Sequence, residues 1–589
     1  MAPEMEVREG LRVYWDVPIE MDDGLVLMSD VFLPLEEGRY PVILSYGPYA
    51  KGLHFEDGYP DQWRIMCEKH PDVPAGSTNI HANWEVVDPE KWCPHGYACV
   101  RVDSRGAGRS PGYIQHFSPR ETKDFYECIE WAGVQEWSSG KVGLSGISYY
   151  GMNQWQVASL KPPHLAAMCV WEGAADWYRD STHHGGLLST FWANWYDHQV
   201  VTVQYGLGDN GPKSRATGDN VCGDVTLTPE EMARNRADFG QELREQPLVG
   251  NDYYDSRIPV WDSIDVPLLS AGNWGGHGLH LRGNTDGWFR AASKDKWLEM
   301  HGLEHWTHYY TDYGREIQLR FFDHFLHGKD NGWDEVPRAI LNIRSPGERF
   351  ELRHEADWPV PDTQWTKLHL GPDRMLSRDA SGDAGTLTYD TTGEGITFRT
   401  RAEEQVELTG PLAAKLHVSS TTADADLFLI FRVFDPEGNE VTFQGALDPH
   451  TPVAHGWLRA SHRKLDPELT LPFRPFHTHD EVQPLTPGEI YELDIEIWPT
   501  SIVVPAGWTI ALTVQGKDYQ YSDEVRRVGW FTMTGVGPFK HDDPTDRPSE
   551  LFDGQVTIHF GEGRENSILV PVIPPRPAAR GGGSSGGSE

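Results

Sequence analysis

The sequence is poor in cysteine and in positive charge, and it has no long apolar run. Its six cysteines (Cys67, Cys93, Cys99, Cys128, Cys169 and Cys222) form no C-x-x-C pair. That spacing suggests neither a disulfide scaffold nor a thiolate zinc site, and it fits a reducing, cytoplasmic compartment. Lys and Arg number 51 against 88 Asp and Glu, a formal net charge of −37. A chain so acidic lacks the basic patches that bind nucleic acid and anionic membranes, so neither partner is expected. No apolar stretch approaches the ~18 residues of a transmembrane helix. The first residues lack the basic-then-apolar pattern of a secretory signal, so none is expected. No metal or other cofactor is expected either. His277, His280, His301, His305 and His308 lie near one another in sequence but contain no H-E-x-x-H pair and no matching carboxylate cluster.

What the chain does have is length and aromatic rings. At ~100–200 residues per domain, its 589 residues imply two or three domains. The 23 tryptophans are enough both to fill large cores and to line an apolar pocket. Strand-like runs at 11–17, 25–33 and 41–46 are followed by a long segment at 51–95, rich in Asp, Pro, His and Trp. That segment reads as an insertion that could line a site. Strands at 97–102, 141–146 and 164–171 then alternate with helices at 121–137 and from about 149. Such alternation predicts a mostly parallel sheet covered on both faces. Residues 176–260 interrupt it with aromatic and polar helical stretches and read as a helical cap. It resumes with strands at 266–270 and 296–300 and helices at 279–292 and 315–327. After residue 345 the texture changes. Residues 490–498 place Tyr491, Leu493, Ile495 and Ile497 on one face and Glu492, Asp494 and Glu496 on the other. This period of two, with further strands at 426–435, 508–515 and 555–560, predicts a β-sandwich of jelly-roll type over 346–575. The expected organisation is a core at 1–175 and 261–345, a cap at 176–260, the sandwich, and a Gly/Ser-rich disordered tail at 576–589.

Chemistry is concentrated at Gly146-Ile147-Ser148-Tyr149-Tyr150-Gly151. A strand runs into a sharp turn and then a helix, which would expose the Ser148 hydroxyl above the sheet beside the first helical N–H groups. The second Gly of the usual G-x-S-x-G is replaced by Tyr150, and Gly151 follows it. This elbow, continued as Met152-Asn153-Gln154-Trp155, resembles that of the cocaine esterase and X-prolyl dipeptidyl peptidase family. That family includes α-amino-acid ester hydrolases and glutaryl acylases. Asp103-Ser104-Arg105-Gly106-Ala107-Gly108 and Phe321-Phe322-Asp323-His324 resemble two further family segments. Thr486-Pro487-Gly488-Glu489 and Ala506-Gly507-Trp508 are similar to turns of its jelly roll.

The resemblance covers about residues 10–575. It implies an α/β-hydrolase domain with an inserted cap and a following jelly roll, ester or amide hydrolysis through an acyl-enzyme, and self-association. It also implies Ser148 as nucleophile, with the Tyr149 N–H and the Tyr49 hydroxyl as oxyanion donors. Of the candidate bases His301, His305 and His308, His305 is the one expected, with His308 next. The family's acid, an Asp in a Gly-x-x-Asp pattern, falls at Gly275 here. Glu172 is the expected replacement because it gives the chain order Ser, acid, His; Asp286 and Glu304 are the other candidates. Trp177, Trp192 and Trp195 are expected to bound the acyl pocket. Two further readings stay open: a catalytically impaired binding protein that uses its β-sandwich, and an aminopeptidase-type X-prolyl peptidase.

Overall fold

The computed structural model describes residues 5–521 and 525–576. The tail expected at 576–589 therefore lies, apart from Arg576, outside the described residues. The first half is built on one eleven-stranded sheet. Its strands are β1 (Met5–Arg8), β2 (Leu11–Glu20), β3 (Val26–Pro34), β4 (Tyr40–Gly47), β5 (Ala98–Asp103), β6 (Ser138–Ile147), β7 (Leu165–Trp171), β8 (Leu268–Asn273), β9 (Lys296–His301), β10 (Ala339–Ser345) and β11 (Arg349–Glu355). Their order is β1-β2-β3-β5-β4-β6-β7-β8-β9-β10-β11. The strands from β5 to β10 are parallel, and antiparallel strands close both edges. Every residue of β5 and β8 is buried, Arg101, Asp103, Ser270 and Asn273 included, as in a parallel sheet covered on both faces. Helices α1 (Pro119–Gly133), α2 (Tyr149–Ser159), α3 (Leu281–Arg290) and α4 (Asp312–Phe325) cover the sheet. Ser118 caps α1 by accepting the Glu121 N–H, and Pro119 occupies its first turn.

The first sheet runs through β11 to Glu355, past residue 345, after which the sandwich is expected to begin. Period-two patterning alone did not distinguish the antiparallel β10–β11 hairpin from the strands of the second half. Residues 176–260 form short helices, Phe191–Trp195, Pro229–Arg234, Phe239–Glu245 and Asp252–Asp255, joined by irregular turns. The second half is a second eleven-stranded sheet. Its longest ladder pairs Val406–Ser420 with Tyr491–Val504, antiparallel and with an irregularity between Gly410 and Leu412. Leu493, Ile495 and Ile497 are fully buried while Glu492 is exposed, as the alternation predicts.

The two halves are joined by buried polar contacts. Arg282 pairs with Glu496 and with Asp180, and Arg344 donates to the Val453 and Ser501 carbonyls. Among the described residues no helix is long and apolar enough to cross a membrane.

Candidate active site

The C-terminal ends of the parallel strands meet at one place, where such sheets put their sites. Ser148 sits at the end of β6 with φ 55° and ψ −116°, a left-handed backbone that a non-glycine residue adopts only at a cost. Its N–H donates to the carbonyls of Trp171 and Glu172 at the end of β7, both at 3.1 Å. The two glycines of the elbow are steric necessities. A Cβ on Gly146 would lie 2.3 Å from the Tyr150 Cβ, and one on Gly151 would lie 2.8 Å from the Trp171 carbonyl oxygen. Tyr150 fits the unusual position because the strand beside it ends in Gly47, where a Cβ would lie 2.6 Å from the Tyr150 ring.

Tyr49 follows β4 in a loop braced from β5. Asp103 accepts the N–H of Lys51 at 2.6 Å and that of Arg109 at 2.8 Å. Gly108 is required there, because a Cβ would lie 2.2 Å from the Asp103 carboxylate. The Asp103–Gly108 segment thus positions Tyr49. The Tyr49 hydroxyl accepts the Trp195 indole N–H at 3.0 Å. Because that N–H is the donor, the phenol proton is not used in this bond. Burial, with Glu85 nearby, raises the Tyr49 pKa well above the ordinary value and keeps the proton in place. The Tyr149 hydroxyl is tied back to Glu121 and His116, so only its main chain is directed at the elbow.

The histidines are arranged differently from the sequence expectation. His305 lies in the loop after β9 and is buried, and its Nε2 is 3.0 Å from Glu85 Oε1. Burial pushes its pKa down to about 3. Glu172, expected to partner His305, instead holds His301. Its Oε1 lies 3.0 Å from His301 Nε2 and accepts from Asn273 Nδ2 at 3.2 Å. The reason is directional. Glu172 leaves β7 with φ 45°, and its side chain crosses the neighbouring strand ends at Asn273 and His301, stopping short of the loop beyond. The other ring nitrogen of His301 lies 2.6 Å from Glu299. Burial alone would lower the pKa of His301, but the two carboxylates outweigh it and raise it to about 9. Burial raises the Glu172 carboxyl to about 7 despite its hydrogen bonds.

The other acid candidates are engaged elsewhere. Asp286 pairs with Arg474 and Arg282. Glu304 pairs with Lys69 at 2.6 Å and accepts from Thr307. His308 packs against the His301 ring at 5.4 Å, and burial lowers its pKa to about 3.

Gly275 explains why the family's acid is missing. The loop at 444–446 of the second half presses against it, and a Cβ on Gly275 would lie 2.6 Å from the Gln444 carbonyl oxygen and from the Gly445 Cα. Ala446 donates to the Gly275 carbonyl at 2.9 Å and accepts the His305 N–H at 3.0 Å. Main chain from the second half fills the space an aspartate would need.

Of the three expected pocket tryptophans, Trp195 reaches the site. It bonds to Tyr49 and stacks on Tyr149 with ring centroids 5.9 Å apart. Trp192 packs behind Trp195 at 5.0 Å, and Trp177 packs behind Trp192 at 4.7 Å. The residue that sequence reasoning missed is Glu85, in the inserted segment between β4 and β5. Its only sequence signal was the segment's length and aromatic content.

Residues 23–310 match the family model described as X-Pro dipeptidyl-peptidase (S15 family). Residues 331–569 match that of the X-Pro dipeptidyl-peptidase C-terminal non-catalytic domain. The cocaine esterase of Rhodococcus sp. (strain MB1 Bresler) is 24% identical, over 95% of this chain and 98% of that protein. A putative Xaa-Pro dipeptidyl-peptidase of Bacillus anthracis is 23% identical, over 82% of this chain and 78% of its own length. The crystal structure of a CocE/NonD family hydrolase from Staphylococcus aureus superposes with a TM-score of 0.81 at 30% identity, covering 96% of this chain and 94% of that one.

Proposed function

Since the chain belongs to the S15-type CocE/NonD hydrolase family, we propose that it hydrolyses an ester or amide through an acyl-enzyme on Ser148. In this reading the first sheet with its helices is an α/β-hydrolase core, residues 176–260 are its cap, and the second sheet is a jelly roll. The observation that carries the function is the strained elbow. Ser148 is fixed at φ 55° between two glycines that tolerate no side chain, which is the geometry that presents a nucleophile at a strand–helix turn.

His305 takes the Ser148 proton as the hydroxyl oxygen attacks the carbonyl carbon, and returns it to the leaving group as that bond breaks. The Tyr49 hydroxyl and the Tyr149 N–H hold the oxyanion. Water, deprotonated by His305, then cleaves the acyl-serine. Esters are the first substrates to test, because the cocaine esterase relative aligns over nearly its whole length. The Xaa-Pro peptidase relatives make X-prolyl amides the second.

The test is labelling with a fluorophosphonate, followed by a panel of acyl esters and X-Pro amides. Labelling at Ser148, and activity lost in Ser148→Ala, are expected. An unlabelled Ser148, or an active Ser148→Ala enzyme, would refute the reading and favour a binding protein.

A further inference from the structure

With Gly275 where an acid is expected and Glu172 bound to His301, His305 has one carboxyl partner among the described residues. We propose that Glu85 is the positioning carboxylate of His305, supplied by the inserted segment between β4 and β5 in place of the absent aspartate. The proposal rests on the serine-hydrolase reading above.

Five observations carry it. The Glu85 carboxyl lies 3.0 Å from His305 Nε2 and is buried, with the residue 1% exposed. Its main chain is locked to the elbow, because its carbonyl accepts the N–H of Ile147, the residue before Ser148, at 3.0 Å. Its backbone is held at φ 63°, and unfavourable backbone of this kind persists where surrounding structure imposes it, often at functional sites. Its Oε2 is a buried oxygen without a hydrogen-bond partner, which a structure retains only for a reason. Trp84, the preceding residue, stands edge-on to the His305 ring at 5.8 Å and stacks on Tyr59 at 4.1 Å. The aromatic packing of the insertion therefore fixes where the carboxyl points.

The chemistry is that of an orienting acid. In its ionised form the Glu85 carboxylate accepts the Nε2 proton of neutral His305 and sets the tautomer. When the ring takes the Ser148 proton, the resulting imidazolium has an anion beside it, and that charge disappears as the ring hands the proton to the leaving group. Burial, and then the nearby Glu172, raise the Glu85 pKa well above the carboxylate range, so the carboxyl must first lose its proton to play this part, and that titration sets the acid limb of the pH–kcat profile. The His301 clamp on Glu172 limits that repulsion by pairing the second carboxylate with a protonated imidazole.

The experiment uses the full chain with p-nitrophenyl acetate, comparing wild type with Glu85→Gln, Glu85→Asp and Glu172→Gln. Glu85→Gln should lower kcat by ~10³–10⁴-fold with KM little changed, as expected when an orienting acid is replaced by an amide. It should also lose the acid limb of the pH–kcat profile. Glu85→Asp should be intermediate and keep that limb. A Glu85→Gln enzyme with wild-type kcat, or a larger loss in Glu172→Gln than in Glu85→Gln, would overturn the proposal. If Glu85→Gln does not fold, a wild-type kcat in Glu85→Asp would overturn it. Fluorophosphonate labelling of wild-type Ser148 separates the two levels. No labelling refutes the hydrolase reading itself; normal labelling with an indifferent Glu85 refutes only the assignment of Glu85.

Discussion

Gly275→Ala probes the contact between the two halves at its tightest point. The added Cβ would lie 2.6 Å from both the Gln444 carbonyl oxygen and the Gly445 Cα. An unstrained carbon contact needs ~3.5 Å or more, so the 444–446 loop must retreat by about 1 Å. That movement stretches two hydrogen bonds now at 2.9 and 3.0 Å, from Ala446 to Gly275 and from His305 to Ala446, beyond the useful range. Each is worth about 1 kcal/mol net, so a loss of about 2 kcal/mol is expected, within the ~1–3 kcal/mol typical of overpacking. The kinetic effect should be larger. The stretched bonds register His305, and a displacement of about 1 Å in a catalytic group costs ~10²-fold. The assay is kcat/KM on an acyl ester together with a urea titration. A modest shift in midpoint with a ~10²-fold loss of kcat/KM is expected. Wild-type kcat/KM in a folded Gly275→Ala protein would refute the argument that this loop holds the histidine.

Tyr49→Phe removes the proposed oxyanion donor and leaves the ring in place. A ~10²–10³-fold loss of turnover is expected with KM little changed, and an unchanged kcat would reject the role. Asp286→Ala should act on stability and not on the chemical step, because Asp286 is buried among Arg474, Arg282 and Arg290. Arg282 keeps Asp180 and Glu496, but Arg474 and Arg290 lose their carboxylate, so the cost should lie near the low end of ~3–5 kcal/mol. Burial works against the Asp286 charge, but the three arginines outweigh it and depress its pKa. Its contribution is therefore present above the unfolded value of ~3.9 and is lost as pH falls through the lower folded value. Urea midpoints of wild type and Asp286→Ala should converge in acid, and a gap independent of pH would contradict this.

The framework was legible in the sequence because its signals are local. Strand–turn–helix patterning places Ser148 on a sharp turn, where it is observed, whereas Tyr49 is singled out only through the family resemblance. The alternation at 490–498 reflects a face that is fully buried at Leu493, Ile495 and Ile497. What escaped is non-local. The sequence reveals that Gly275 lacks a carboxylate, but not that Gln444 and Gly445 lie against it from the other half of the chain. Chain order admitted Glu172 as the acid, yet the direction of its side chain across the strand ends depends on a backbone at φ 45°. Glu85 belongs to an irregular segment without period or motif. Its approach to His305 follows from the packing of Trp84, Tyr59 and Phe55, which no spacing encodes.

The Ala446 contact has a consequence for biosynthesis. The serine, its proposed oxyanion donors and His305 all lie within the first 305 residues, but the carbonyl that accepts the His305 N–H comes from residue 446. A chain emerging from the ribosome therefore carries a complete set of reactive groups long before the last peptide unit that registers them has been made. Under the proposed mechanism, a chain ending before residue 446 lacks the carbonyl that holds His305 and is expected to be inert toward esters.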